Sequence, residues 1–258
     1  MNKLQLEKLL EKCWPKHWPY EPLFRRLPKH YLLRKFESEI RKPIPVHWKP
    51  DVNLYKIDKY GVRKPVNNQP IISFSPPAAD KGLWGGEEVI KGYKTNRYIR
   101  IPYVWVPTIS QRIYCSEILQ KHLLIQCTQR TEDLIDKFFG FDHYILQTHE
   151  IDLKSRLGVS LKRSMLIKLI TKQITEDKNL NEKIYQTYQH YLKINDINSV
   201  EEAEWFGLTL EEAYEKQISL EKQNPKNLPN PFKNIYKREI LEKILNIQDS
   251  KEKYIASN

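Results

Sequence analysis

Residues 82–109, GLWGGEEVIKGYKTNRYIRIPYVWVPTI, run on into RIYCSEI (112–118), LLIQCT (123–128) and TEDLIDKFFGFDHYILQ (131–147). The second and third pieces are rich in strand-favouring residues and predict a hairpin. Ile113, Cys115 and Glu117 take one face, and Tyr114, Ser116 and Ile118 the other. Leu119 to His122 is a short connection suited to its loop. Thr131 then reads as a helix N-cap, with Glu132 and Asp133 favourable in the first turn. Leu134, Ile135, Phe138 and Phe139 give the helix an apolar stripe, and Gly140 is its expected C′ residue. Asp142 is placed to cap a second short helix, Tyr144 to Gln147.

The lead before the hairpin has a different character. Gly82, Gly85, Gly86 and Gly92 are half of the chain's eight glycines. Lys91, Lys94, Arg97 and Arg100 recur every three residues with no acid among them, and Tyr93, Tyr98, Tyr103 and Trp105 are interleaved. Cations neutralise phosphates, and flat rings stack on unpaired bases. The plain alternative for the basic run is a solvated edge. Glycine, cation and aromatic together favour an RNA-facing extended segment.

Composition supports a polyanion partner. The 258 residues carry a formal charge of +11, with a pI near 9.3 and a mean hydropathy of −0.65. The charge is uneven: residues 1–65 are net +9, 66–150 neutral, 151–180 net +4, and 181–258 net −2. The N-terminal part and the centre are therefore the polyanion side, and the C-terminal part suits protein or solvent. Sixteen prolines interrupt the chain. A small core with long arms fits this better than an enzyme-sized globule.

Residues 14–80 are punctuated by eleven of those prolines. One helix is expected, Pro28 to Arg41, with proline tolerated at its start. The rest should run extended and be ordered by a partner. Beyond the centre, a helix is expected from about Lys162, with Leu161, Met165, Leu166, Leu169 and Ile170 on one face and Lys162, Arg163, Lys168 and Lys172 on the remainder. Glu182 to Leu192 is a further helix. Ser199–Glu202 and Thr209–Glu212 fit the S/T-x-x-E capping box and should start two helices separated at Gly207. Asn224 to Pro231 reads as a linker and Ile235 to Ile247 as a last helix. Leu4, Leu6, Leu9 and Leu10 form an amphipathic turn or two. Glu7 and Glu11 are unusual in an acid-poor transit peptide, so residues 1–12 read either as an uncleaved import helix or as a docking helix.

Candidate chemistry is thin. Glu132, Asp133 and Asp136 could be a nuclease metal cluster, but a solvated helix start explains them better. Cys115, His122 and Cys127 lack the short-spaced pairs of a structural zinc site. Cys115 and Cys127 are candidates to face each other across the hairpin; with Cys13 they make no secreted disulfide framework, and free thiols are expected. His143 and His149 have no nucleophile in a known arrangement. The glycines form neither G-x-x-x-x-G-K-[ST] nor G-x-G-x-x-G. No run approaches the roughly 20 apolar residues of a membrane span. No cofactor, metal, small-molecule substrate or catalytic residue is expected. Trp205, Phe206, Leu208 and Leu210, set among acidic residues, are candidate protein-docking residues.

The glycine-marked lead, the W-x-P of Trp105 to Pro107, the hairpin and TEDLIDKFFGFDHYIL (131–146) together resemble the family of the bacterial large-subunit ribosomal protein numbered twenty-eight. That match covers a quarter to a third of the chain. GLWGGE (82–87), YCSEIL (114–119), RTEDLID (130–136), DHYILQT (142–148), LKRSML (161–166) and AEWFGLTLEEAYEKQ (203–217) resemble its mitochondrial form, which has long extensions on both sides. The paired C-x-x-C zinc ligands of some bacterial forms are absent, and the basic run is sparser than theirs.

The resemblance implies a non-catalytic constituent of the mitochondrial large ribosomal subunit, in the matrix, packed on large-subunit ribosomal RNA and neighbouring ribosomal proteins. The expected fold is α+β: a small β-hairpin plus two-helix core (81–150), a basic proline-rich N-terminal arm (1–80) and a helical C-terminal extension (151–258). Lys91, Lys94, Arg97, Arg100, Arg112, Lys121 and Arg130 are expected on phosphates and grooves, with Tyr98 and Trp105 as stacking residues. The alternative, from another class, is a helical adaptor that docks a protein through its acidic C-terminal helices.

Overall fold

In a computed structural model, residues 82–147 form two consecutive hairpins and two short helices, where one hairpin and an extended lead were expected. The structure describes residues 26–48, 51, 53–66, 71–96, 98–175, 177–223, 236, 237, 240 and 241. Along them come α1 (Lys29–Ile40), β1 (Tyr55–Ile57), β2 (Arg63–Pro65), β3 (Ser73–Phe74), α2 (Pro77–Asp80), β4 (Val89–Thr95), β5 (Arg100–Trp105), β6 (Ile109–Ser116) and β7 (Lys121–Thr128). Then follow α3 (Gln129–Lys137), α4 (Phe141–Gln147), α5 (Glu150–Leu153), α6 (Arg156–Thr171), α7 (Lys178–Tyr188), α8 (His190–Ile194), α9 (Val200–Glu204) and α10 (Leu210–Gln223). Among the described residues, all strand pairing is antiparallel, in sheets β1–β2, β3–β4–β5 and β6–β7, apart from one parallel bridge. Helices with small antiparallel sheets agree with an α+β class.

The central hairpin β6–β7 starts earlier than expected, at Ile109, and Glu117 and Ile118 belong to its turn rather than its first strand. Tyr114, Ser116 and Ile118 do point inward, as the alternation requires, and Ile118 is fully buried. The expectation that Cys115 faces Cys127 fails on register: Cys115 pairs with His122 and Cys127 with Ser110. The two sulfurs therefore lie on opposite faces of the sheet, one exposed and one buried.

One core binds this hairpin to the helices around it. It joins Leu83, Ile118 and Ile125 to Phe141, Tyr144, Ile145 and Leu146 of α4 and to Met165, Leu166 and Leu169 of α6. The Tyr114 ring stacks on Phe141 at 5.1 Å. Burying each large aliphatic contributes roughly 1.5–3 kcal/mol. Leu83 bridges to the edge of β7, its N–H on Gln126 O (2.8 Å) and its carbonyl accepting from Thr128 N (3.2 Å). Gly82 must be a glycine for this, since a Cβ there would sit 2.6 Å from Gln126 O.

Tertiary bonds override two expected caps, and a local motif shifts a third. Thr131 is inside α3, which starts two residues earlier; its buried hydroxyl donates to Leu83 O at 2.8 Å. Asp142 is likewise within its helix and buried, and its carboxylate accepts the Ile118 N–H at 3.0 Å, fastening the hairpin turn to α4. Desolvation raises the pKa of this carboxyl despite that bond. Gly140 is not the C′ residue of α3. Phe139 takes that left-handed position at φ +60°, donating to Asp136 O, while Gly140 donates to Ile135 O: a complete Schellman motif with Phe139 out in solvent, 92% exposed.

Helix α6 begins at Arg156, six residues before the expected start, because Ser155 caps it and accepts from Gly158 N at 3.1 Å. Its buried side is Gly158, Lys162, Met165, Leu166 and Leu169, a helical stripe that includes a lysine. The expected basic face is therefore partly internal. Lys162, 1% exposed, donates to Thr148 O (2.7 Å) at the end of α4. Arg163 donates to Phe206 O (2.6 Å), and Lys168 to Leu119 O (3.1 Å). Desolvation pulls the Lys162 pKa down to about 7, against the opposing effect of Glu150.

The helix expected over Glu182–Leu192 splits into α7 and α8 at Gln189. Ser199 caps α9, accepting from Glu202 N at 3.2 Å. The boundary between the chain's two compact units falls between Leu208 and Thr209. In the second unit Thr209 and Glu212 form a reciprocal capping box ahead of α10, at 3.0 and 3.3 Å. The expected turns at 1–12 and linker at 224–231 lie outside the described residues, as does most of the helix expected at 235–247.

Candidate nucleic-acid interface

Two β-strands carry the basic lead. In β4–β5 the register pairs Ile90 with Trp105, Gly92 with Tyr103, and Lys94 with Ile101; between them Lys91 meets Val104, Tyr93 meets Pro102, and Thr95 meets Arg100. Paired residues share a face, so cations three apart alternate sides. Lys94, Tyr103 and Trp105 lie on one face. Lys91, Tyr93 and Arg100 lie on the other. Every residue of β5 is exposed, so its hairpin shows solvent a cation–aromatic surface on both sides.

The aromatic groups are arranged by local contacts. Tyr103 and Trp105 meet edge-on at 4.9 Å. The Lys94 ammonium lies 5.6 Å from the Tyr103 ring centre, and that of Lys91 lies 4.4 Å from Phe74 on β3. Trp105 lies over Gly92, where a Cβ would come 3.0 Å from the indole. Asn96 N donates to Ile99 O (2.9 Å) across the connection, where Tyr98 is 91% exposed. Arg97 lies outside the described residues.

The remaining candidate cations divide. Lys121, on β7, is exposed. Arg112 is held by Glu132 through Nε to Oε1 (2.9 Å) and Nη2 to Oε2 (3.4 Å). Hydrogen bonds from Arg112 and then Ser110 pull the Glu132 carboxyl down to about 2. Arg130 is half-buried and donates from Nε to Gly85 O at 3.2 Å. Thus Lys91, Lys94, Arg100 and Lys121 offer their charge outward, while Arg112 and Arg130 also serve the fold.

Of the acidic candidates, Asp133 and Asp136 are exposed on α3, while Glu132 and the two histidines are engaged in packing. Glu132 belongs to Arg112. His143 lies 2.9 Å from the Tyr191 hydroxyl, with its ring against Tyr188. His149 accepts from Ile151 N at 3.3 Å, and burial first, then nearby cations, lower it to about 4. Among the described residues, no three His, Cys, Asp or Glu side chains gather as a metal site.

A solvent-facing docking role does not hold for Trp205 and Phe206, which are 5% and 3% exposed. They receive α1 of the same chain. Tyr31 of α1 packs on Trp205 at 5.8 Å and donates to Leu208 O at 3.1 Å. Arg34 lies 4.8 Å over Phe206 and donates to Asn195 O at 2.7 Å. Leu208 and Leu210 are half-buried. Sequence reasoning missed Tyr31 and Arg34; the regular apolar spacing of Tyr31 and Phe36 with Leu32 was the available signal.

No family model matches this chain. Among curated proteins it is similar to the large ribosomal subunit protein bL28m of Xenopus laevis, 41% identical over 86% of this chain and 87% of that protein. With the Bos taurus protein of the same name it shares 38% identity over 93% of each. With that of Drosophila melanogaster it shares 32% identity over 74% of this chain and 64% of the relative.

Proposed function

The chain belongs to the bL28m family of mitochondrial large-ribosomal-subunit proteins, and we propose that it is a structural, non-catalytic constituent of that subunit. Residues 81–150 are its RNA-docking part, 1–80 an arm and 151–258 a helical extension toward neighbouring ribosomal proteins. Lys91, Lys94, Arg97, Arg100 and Lys121 contact phosphates of the large-subunit ribosomal RNA, with Arg112 and Arg130 adding contacts from their anchored positions. Tyr98 and Trp105 stack.

The observation that carries this reading is the β4–β5 hairpin, exposed along the whole of β5 and bearing cations with rings. With β3 the hairpin makes a three-stranded sheet, and so small a sheet needs a packed face to be stable in water. Here an RNA surface supplies the missing face. Shape and phosphate recognition suit this arrangement better than base readout. Among the described residues no helix is long and apolar enough to cross a membrane.

Sedimentation of the native protein from lysed mitochondria tests the reading. The expected result is comigration with the large subunit, lost on RNase digestion. A light complex indifferent to RNase contradicts it and favours the adaptor alternative.

A further inference from the structure

Hairpin β1–β2 stands in solvent. Every residue of both strands is exposed, and the two strands form a sheet alone. A two-stranded sheet is marginal in water without a further surface to pack on. Its turn is nevertheless well tied. Asp58 N donates to Val62 O at 2.9 Å, Gly61 N to Asp58 O at 2.8 Å, and the Asp58 carboxylate accepts the Lys59 N–H at 2.8 Å. Gly61 takes the left-handed conformation, φ +77°, that closes the turn.

The register sorts its charge. Tyr55 pairs with Pro65 and Ile57 with Arg63, so these four share one face; Lys56 and Lys64 pair on the other. On the lysine face both cations are matched, Lys64 by Asp58 at 2.6 Å and Lys56 by Asp51. Those bonds hold both carboxyls below the usual carboxylate range. Arg63 on the tyrosine face and Lys59 at the tip have no ion-pair partner among the described residues. The Lys59 ammonium lies 5.1 Å from the centre of the Tyr60 ring, which is 77% exposed. Tyr55 and Ile57 are exposed as well.

Unmatched cations beside bare rings fit a polyanion that also carries flat groups. An apolar protein face would leave Arg63 and Lys59 without counter-charge. The same placement of lysine by ring recurs in the β4–β5 hairpin, and residues 1–65 carry net +9, which draws a polyanion to this part of the chain. We propose that the tip and tyrosine face of β1–β2 are a second grip on large-subunit ribosomal RNA, with Arg63 and Lys59 on phosphates and Tyr60 stacked on an unpaired base. The lysine face, neutralised by its own aspartates, turns away from the RNA. This rests on the RNA-bound reading above and extends it to a segment outside residues 81–150.

The test uses the purified full chain and large-subunit ribosomal RNA. In Lys59→Gln/Arg63→Gln the slope of log affinity against log salt should fall by about 1–2 units, close to one per phosphate contact removed. Asp51→Asn/Lys56→Gln/Asp58→Asn/Lys64→Gln dismantles both ion pairs at constant net charge, and its slope should stay that of the wild type. An unchanged slope in the first variant, or an equal fall in the second, overturns the proposal. In intact large subunits, ultraviolet crosslinking and mass spectrometry should find nucleotide adducts within residues 54–66. Amine crosslinks from Lys59 to a neighbouring protein, with no nucleotide adduct in that stretch, overturn it in favour of an acidic protein partner. Each of these failures leaves the β4–β5 contacts standing. Failure of the wild-type chain to bind the RNA at all sinks the reading beneath it.

Discussion

The two hairpins, β4–β5 and β6–β7, are neighbours in sequence and opposites in environment. Both are antiparallel, and both carry tyrosine and β-branched residues at strand positions. In β6–β7 one face is buried, with Ser116, Ile125 and Cys127, while Ile113 and Leu124 on the other face stay exposed. In β4–β5, Tyr93, Ile101, Tyr103 and Val104 stay exposed. Strand-forming composition therefore decides that a strand forms, not that it has a core to face. Hairpin β6–β7 is held by the protein core, whereas β4–β5 is exposed along the whole of β5.

Deletions give the largest contrast. Replacing residues 89–105 with a short flexible linker should abolish incorporation into the large subunit, read by gradient sedimentation, while far-ultraviolet circular dichroism keeps its helical signal. Loss of that signal would mean that the hairpin serves the fold rather than the partner. Truncation in the other hairpin's core should do the reverse: Ile145→Ala, at a fully buried site, should cost about 2–5 kcal/mol of stability in denaturant titration. Trp105→Ala should weaken RNA binding by about 1–3 kcal/mol through lost stacking, with a much smaller change in denaturation midpoint. A midpoint loss like that of Ile145→Ala would erase the distinction between the hairpins.

A further expected effect is electrostatic and internal. Lys162 is held down near pH 7 by burial, below its unfolded value of 10.5. Across that interval the unfolded chain binds the extra proton, so stability should rise with pH and level off below about 7. Lys162→Met should flatten this rise in pH-dependent melts. A slope identical to that of the wild type would show that Lys162 keeps its proton inside the fold.

Local chemistry was legible where it stayed local. Ser199 and Thr209 cap as their spacing requires, since donor and acceptor lie within four residues. Pro28 starts α1 as expected. Thr131, Asp142 and Lys162 were misread because their partners, Leu83, Ile118 and Thr148, lie 14 to 48 residues away. The β4–β5 hairpin was missed because its connection near Asn96 carries no glycine to punctuate it. Trp205 and Phe206 looked available only because nothing in the sequence announces that α1 folds onto them. Of the candidate interface, the cation–aromatic character was legible; its division between two faces needed the strand register.

The central claim is that the exposed hairpin grips RNA by charge. The direct measurement is the salt dependence of binding between the purified full chain and its large-subunit ribosomal RNA, for wild type and for Lys91→Gln/Lys94→Gln/Arg100→Gln. The slope of log affinity against log salt should fall by about 2–3 units, close to one per phosphate contact removed. An unchanged slope would place the RNA grip elsewhere on the molecule and contradict this account.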